Sequence, residues 1–398
     1  TMPTPYTLKD PEFWKISISL GLASIFIFAF LYPLQPILPV LAREFEVSIT
    51  VVSLTMSFSI IGLIIGLNVL GMLTDRYGRR SFVLGSLFLS VITFLLIPMT
   101  HSFTLIIILR FIQGFAVAAL PASALAYMGE EIAKRDLKIA VSIYIAANAF
   151  GGMLGRIATG IITDHYSWQT AFFILGTAGA VVSLLITFIL PKSRFFRATQ
   201  GSFKENLKGF AFHLKNNTLL RYFGIGFMIQ MTYSAVWTYL PFYLEGSPFY
   251  LSVAAIGSLY LALICGVPSA PIAGFLANRI QLKIILFFAL GILAFGTLLT
   301  GIPSIWIVMI GLCFVSFGMI AAHSLAAALV NEHATEFRGT ASSLYFVAYY
   351  IGAAVGSTLF APIWESLSWG GIVLISGALP LLYIGFLALF PSKSDRAP

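Results

Sequence analysis

The sequence predicts an all-α integral membrane protein with twelve transmembrane helices in two related six-helix halves. Three observations lead to this prediction: the composition, the spacing of apolar stretches and an internal repeat. Of the 398 residues, 59% are hydrophobic and 10% are charged, and the mean hydropathy is +0.95. A soluble domain carries roughly a quarter charged residues, so the composition excludes a soluble globular protein.

The apolar stretches are each long enough to cross a bilayer, which takes about 20 apolar residues. The predicted spans are 15–40, 50–71, 81–99, 104–128, 137–162, 169–190, 220–244, 251–275, 283–301, 304–330, 340–363 and 370–390. The segment before the first span is mostly polar, and no small-residue cleavage site follows it. We therefore expect the first span to be retained.

The positive charges predict the orientation, because Lys and Arg are retained on the cytoplasmic side of a membrane. If both termini are cytoplasmic, 20 of the 23 Lys and Arg residues fall in cytoplasmic segments, and Arg43 alone lies outside. We expect a multi-pass protein of the cytoplasmic membrane, inner or plasma, with both termini cytoplasmic. The bilayer then accounts for the net charge of +8, and no nucleic-acid partner is expected.

The internal repeat appears when residues 140–168 are aligned with residues 341–369, which gives nine identities in 29 positions. These include the pairs Gly151 and Gly352, and Gly155 and Gly356. The chain is predicted to consist of an N-terminal half (1–190), a basic cytoplasmic linker (191–219) and a C-terminal half (220–398). Two parallel repeats of six spans are typical of transporters that work by alternating access.

The loop between spans two and three carries the sequence GMLTDRYGRR at residues 71–80. This segment resembles the loop signature G-x-L-x-D-R-x-G-R-R/K of the major facilitator superfamily, and matches it at every defined position. The resemblance implies that the loop is a latch that closes the cytoplasmic side, in which Arg79 meets Glu130 or Glu131. The expected gating residues are Gly71, Asp75, Arg76, Gly78, Arg79, Arg80, Glu130 and Glu131.

Three ionisable side chains lie well inside the predicted spans, namely Arg110, Arg156 and His323. Charged groups at membrane depth are costly and usually functional. Arg110 and Gln113 form an R-x-x-Q-G motif that resembles the span-four motif of proton-linked superfamily members. The resemblance implies a role in coupling or ligand contact; the alternative is an arginine satisfied by backbone carbonyls and neighbouring amides.

Residues 151–160 resemble the span-five antiporter signature of the superfamily, G-x-x-x-G-P-x-x-G-G. Gly151, Gly155 and Gly160 are expected to let this helix pack closely against a neighbour, because small residues let helices approach. Arg156 stands where the signature has proline, so we expect less bending. Its side chain either faces the transport cavity or bonds a carbonyl or the rim residue Asp164.

Drug:proton antiporters of the superfamily often carry a carboxylate in span one, where this chain offers Tyr32 and Gln35. His323 is then the best intramembrane candidate for a proton carrier, since imidazole titrates near neutral pH. A packing hydrogen bond is the equal alternative, and Asp75, Glu130 and Asp164 are candidate protonation sites at the rims. Further candidates for the cavity lining, with helix packing as the alternative, are Asn148, Gln230, Tyr233 and Trp237.

The segments 31–39 and 321–324 resemble an inner-membrane efflux subgroup of the superfamily. Together with the motifs, they favour a proton-coupled exporter of amphipathic small molecules or drugs. It would use the proton gradient as its energy source, without cofactor or metal, and work as a monomer. The alternative is an organic-anion transporter or exchanger that uses Arg110 and Arg156 as a substrate clamp. Lipid scrambling is a third possibility. An enzyme is not expected, because no catalytic constellation occurs.

Overall fold

The computed structural model describes residues 2–199 and 201–393, apart from the side chain of Arg338. Residue 200 of the predicted linker and residues 394–398 of the predicted C-terminal half lie outside the described residues. The described chain forms α-helices joined by short loops and three 3₁₀ segments. The helices are α1 (Pro11–Leu31), α2 (Leu38–Glu44), α3 (Ile49–Tyr77), α4 (Arg80–Leu96), α5 (Phe103–Glu131), α6 (Leu137–His165), α7 (Trp168–Ile189), α8 (Phe203–Leu214), α9 (Asn217–Glu245), α10 (Val253–Ser258), α11 (Ser269–Ala277), α12 (Leu282–Leu299), α13 (Ile305–His333), α14 (Arg338–Thr358) and α15 (Ala361–Leu389).

Ten helical segments within the described residues are long and apolar enough to cross a membrane. Two further helices, α9 and α14, lie where spans seven and eleven are predicted, at 220–244 and 340–363. They are less apolar because their sequences contain many Tyr, Thr, Ser and Gly residues. The all-α membrane fold predicted from composition is confirmed.

Several helices begin at a polar side chain that accepts a hydrogen bond from a first-turn amide. The amide groups at a helix start have no partner within the helix, and a Ser or Asn just before it supplies one. The capping residues are Ser102 for α5, Ser167 for α7, Ser202 for α8 and Asn216 for α9.

Two of the predicted spans are broken by proline. The first predicted span ends its α-helix at Leu31, before Pro33, and continues as a 3₁₀ turn and then α2. The pattern predicts one helix for the eighth span, but residues 259–266 form a 3₁₀ segment between α10 and α11. Pro268 has no N–H for the carbonyl of Ile264, which instead accepts the Val267 N–H at 3.1 Å.

The helices group into two compact units. The first contains α1, α3 from Phe58 onward, α4 to α7 and α10. The second contains α2, α3 up to Ser57, α8, α9, the 3₁₀ segment at 259–266 and α11 to α15.

The same helix contact is built twice, once in each unit. In the first unit, a Cβ at Gly151 would lie 2.3 Å from the carbonyl oxygen of Ile25, and one at Gly155 would lie 2.4 Å from that of Ala29. In the second unit, a Cβ at Gly352 of α14 would lie 2.2 Å from the carbonyl oxygen of Phe227 on α9, and one at Gly356 would lie 2.1 Å from that of Met231. The glycines shared by the sequence repeat therefore occupy equivalent places, where no side chain fits.

Candidate functional site

Arg110 lies on α5 against the end of α1, and its side chain is completely buried. The guanidinium donates to the carbonyls of Phe30 at 3.0 Å and Leu31 at 2.6 Å. It also donates to Gln113 Oε1 at 2.7 Å and to Ser59 Oγ at 3.1 Å. The last carbonyls of a helix lack partners within it and carry a partial negative charge, so Arg110 caps the C-terminus of α1.

Arg156 lies on α6 beside the 3₁₀ turn that follows α1. Its Nε donates to Gln35 Oε1 at 2.9 Å, and its guanidinium carbon stands 4.4 Å from the centre of the Tyr32 ring. One terminal nitrogen is 3.4 Å from the carbonyl of Gly152 on its own helix. The guanidinium is thus held by a side-chain amide, an aromatic ring and a backbone carbonyl.

Tyr32 lies between the contacts of the two arginines along the chain, because its ring faces Arg156 and the carbonyl of the preceding Leu31 accepts from Arg110. We call Tyr32, Gln35, Arg110, Gln113 and Arg156 the Tyr32 site. It lies wholly within the first unit. Gln113 is fully buried, and its amide nitrogen has no hydrogen-bond partner among the described residues.

Asn148 lies on α6 two turns before Arg156, where its side-chain oxygen accepts a hydrogen bond from Ser24 of α1. Gly160, at the other end of α6, packs against α10, and a Cβ there would lie 2.9 Å from the Cα of Gly257. With Gly151 and Gly155, it lies where α6 meets the backbone of a neighbour. Asp164 is exposed, whereas the hydrogen bonds described for Arg156 go to Gln35 and Gly152.

The predicted latch residues Asp75, Arg79 and Glu130 meet in the first unit. Arg79 bonds Asp75 and also donates to Glu130, through Nε at 3.1 Å and a terminal nitrogen at 3.0 Å. Burial acts to lower the pKa of Arg79, but hydrogen bonds to the two carboxylates and their charges outweigh it, and the pKa lies above its usual value. Arg79 therefore stays charged.

The other latch residues have separate places. Gly78 adopts φ +120°, which favours glycine, and forms the turn between α3 and α4. Arg80 caps the end of α7 through the carbonyls of Thr187 at 2.7 Å and Leu190 at 3.0 Å. Arg76 is exposed, and a Cβ at Gly71 would meet nothing within 4 Å.

Glu131 has a different partner, which the sequence analysis missed. Its buried carboxylate accepts the backbone N–H of Arg194 at 2.6 Å and of Phe195 at 3.0 Å. The Arg194 side chain stacks on Tyr6, with 3.7 Å from the guanidinium carbon to the ring centre, and donates to the Thr4 carbonyl at 3.0 Å. The start of the linker and the N-terminal segment are thus fastened to the end of α5. A basic residue four positions after the end of span six was the available signal.

His323 lies on α13 among aromatic side chains of α14. Its Nδ1 is 2.9 Å from the Tyr345 hydroxyl, and its ring centre lies 4.3 Å from that of Tyr349 and 5.8 Å from that of Phe346. Tyr345 in turn packs on α9, where a Cβ at Gly226 would lie 2.6 Å from its ring. The tyrosines were not selected from the sequence, although Tyr345 is the repeat counterpart of Tyr144.

The three candidates on α9 lie along one side of this helix in the second unit. Trp237 is fully buried, with 4.8 Å between its ring centre and that of Tyr260 and 6.2 Å to that of Tyr233. Its indole N–H and the side-chain oxygen of Gln230 have no hydrogen-bond partner among the described residues. Buried polar atoms of this kind are suited to a polar ligand group or water. Also within the described residues, no group of three or more His, Cys, Asp and Glu side chains could hold a metal ion.

Comparison with known proteins identifies the family. The model of the Major Facilitator Superfamily matches residues 20–357 and 246–398. The chain belongs to the Major Facilitator Superfamily. The superfamily and the relatives described next are transporters, so this multi-pass membrane protein is a transporter and not an enzyme.

Two relatives and one solved structure show how far the similarity extends. An uncharacterized transporter of Buchnera aphidicola subsp. Schizaphis graminum is 35% identical over 361 residues, which is 91% of this chain and 87% of the relative. The inner membrane transport protein YnfM of Escherichia coli is 34% identical over 362 residues, with the same coverage. This match supports the predicted subgroup, which is the one around YnfM. The nucleoside transporter NupG has the same fold, with a TM-score of 0.80 at 14% identity over 94% of this chain and 100% of that structure.

Proposed function

We propose that this superfamily transporter is a proton-coupled exporter of amphipathic small molecules. It would lie in the inner membrane with both termini in the cytoplasm and exchange substrate for protons by alternating access. The substrate would bind within the membrane.

The arrangement of His323 is the observation that carries this proposal. Coupling to protons needs a group that gains and loses a proton near neutral pH, and imidazole is the side chain with that property. His323 is half-buried, lies within a membrane helix and is bonded to the Tyr345 hydroxyl. Tyr345 contacts α9 at Gly226, so a change in the bond at His323 would act on α9 and its candidate binding residues.

The aromatic side chains around this region support amphipathic substrates. Tyr349 and Phe346 flank His323, while Tyr233 and Trp237 lie on α9. Aromatic rings give a ligand apolar contact area and attract cations through their faces. The unpartnered Trp237 N–H and Gln230 oxygen would add polar contacts.

The anion-clamp alternative is favoured by Arg156, a guanidinium at membrane depth that contacts Gln35, Tyr32 and Gly152. Arg110 argues against a two-arginine clamp, because it is fully buried and bonded to four neutral acceptors. An anion would have to replace these bonds. The alternative therefore depends on Arg156.

Transport by purified protein in proteoliposomes tests the proposal. A cationic dye and a small dicarboxylate would be offered in parallel under an imposed pH gradient. We expect gradient-driven movement of the dye and its loss in His323→Ala. His165→Ala is the matched control, because His165 is exposed and bonds a carbonyl of its own helix.

The opposite pattern would contradict the proposal. Exchange of the dicarboxylate that needs no pH gradient and disappears in Arg156→Lys would favour the anion carrier, because lysine keeps the charge but loses the planar fork that binds carboxylates. Dye movement that persists in His323→Ala would assign the proton to another group.

A further inference from the structure

The linker helix α8 has an exposed apolar stripe on one side and lysines on another. Phe203, Leu207 and Leu214 recur at helical spacing and are 59%, 47% and 51% exposed. Lys204 and Lys208 are four residues apart and exposed. At 3.6 residues per turn, Lys204 and Lys208 lie about 80° and about 120° around the helix from the centre of the stripe. This makes α8 amphipathic, with its apolar stripe uncovered.

A third and narrow side of α8 packs against the start of α14 in the same unit. Gly209 contacts Thr340, and a Cβ there would lie 2.8 Å from the threonine Cγ2. The Nε2 of buried His213 is 2.9 Å from the Phe337 carbonyl oxygen. Phe337 has φ +50° and directly precedes α14. The contact therefore sets the orientation of α8, and it leaves both the stripe and the lysines free.

The neighbouring elements place α8 at the surface of the bilayer. It ends at Leu214, and α9, at the position of span seven, begins at Asn217. Its other contact is with the start of α14, at the position of span eleven. A helix held between the starts of two membrane helices lies at headgroup level. There, phenylalanine and leucine side chains enter the acyl boundary, and lysines reach anionic headgroups.

We propose that α8 is an interfacial helix that binds anionic phospholipids. Phe203, Leu207 and Leu214 insert at the acyl boundary, while Lys204 and Lys208 contact headgroup phosphates. Charge complementarity selects this occupant, because α8 carries two lysines against the single acid Glu205. Since α8 also holds Phe337, lipid binding stabilises the start of α14, the helix that carries Tyr345.

A fluorescent probe on the stripe tests the proposal with full-length protein. Leu207→Cys would be labelled in a Cys265→Ala, Cys313→Ala background. The protein would be reconstituted in vesicles of phosphatidylcholine alone, or of equal parts phosphatidylcholine and phosphatidylglycerol. Lipids brominated on their acyl chains quench a probe that inserts. We expect quenching to rise about twofold when phosphatidylglycerol is present, because the anionic surface attracts the basic helix.

Two lysine pairs separate headgroup recognition from general surface charge. Lys204→Gln with Lys208→Gln should abolish the increase with phosphatidylglycerol. The matched control is Lys134→Gln with Lys138→Gln, which removes two exposed lysines, also four residues apart, outside α8. It should leave the increase unchanged. Equal quenching in both vesicles, or equal effects of both pairs, would overturn the proposed headgroup contact. A probe that stays in water in both would overturn insertion and indicate a protein-docking face.

Discussion

At the scale of single residues, the most consequential side chain is Arg110. The last carbonyls of α1 have no partners within the helix, and Arg110 donates to two of them, at Phe30 and Leu31. The buried guanidinium of Arg110 therefore bonds the carbonyls at the end of α1, just before Pro33. We infer that Arg110 positions Tyr32 and Gln35 for Arg156 by holding the end of α1 in place.

Replacement of Arg110 tests this structural role. Arg110→Gln should lower the free energy of unfolding by about 3 kcal/mol, because buried carbonyls lose a charged donor. Arg110→Lys should lower the free energy of unfolding by less, since an ammonium group still donates hydrogen bonds but lacks the planar set of N–H donors of a guanidinium. Thermal unfolding in detergent measures both. Arg135→Gln is the control, because the Arg135 side chain is 73% exposed. Wild-type stability of Arg110→Lys with loss of anion binding would instead make Arg110 a ligand contact.

The sequence could identify Arg110, Arg156 and His323 because ionisable groups are rare inside apolar spans. It could not identify the acceptors of Arg110, because backbone carbonyls have no sequence signal. The tyrosines beside His323 were equally hidden, since aromatic residues are common in membrane helices. Glu130 and Glu131 are adjacent and chemically equal, so only the fold separates them, with Glu130 at the latch and Glu131 at Arg194.

At the scale of elements, close packing of α6 on α1 and of α14 on α9 determines where the candidate side chains lie. Both contacts depend on pairs of glycines four residues apart that meet the backbone of the facing helix. The sequence repeat predicted related elements, but it could not say which helix each one packs against. The 3₁₀ segment of span eight was not predicted, because the apolar pattern around it is the same in an α-helix and a 3₁₀ helix.

Glycine-to-alanine changes test this packing. Gly155→Ala should destabilise the protein by about 1–3 kcal/mol, as expected for overpacking, because its Cβ would lie 2.4 Å from the Ala29 carbonyl oxygen. Gly152→Ala is the control on the same helix, since its Cβ would find nothing closer than 3.6 Å. Gly356→Ala should repeat the loss in the second unit. Equal unfolding temperatures for Gly155→Ala and Gly152→Ala would contradict the account.

At the scale of the whole molecule, the superfamily fold implies a cycle that opens each side in turn. The Arg79 latch is the element expected to secure the cytoplasmic side. The complete loop motif made the fold predictable from the sequence. The substrate was not predictable, because side chains that line a cavity are chosen by ligand shape and carry no shared signature.

Arg79→Lys tests the latch as part of the transport cycle. Lysine keeps the positive charge but cannot bond Asp75 and Glu130 through a fork. The initial transport rate should fall by roughly tenfold, as expected from the loss of about 1.4 kcal/mol of charge-assisted bonding. Arg135→Lys, at an exposed arginine outside the latch, should transport like the wild type. Equal transport rates for the two variants would contradict a role of the Arg79 latch in gating.

The most direct test of proton-coupled export is the pH inside proteoliposomes that are loaded with the cationic dye and diluted into dye-free buffer. Antiport predicts that outward movement of the dye draws protons in, so a pH indicator trapped in the lumen should report acidification. His323→Ala should abolish that signal. Dye efflux at the wild-type rate without any change in lumenal pH would contradict proton coupling.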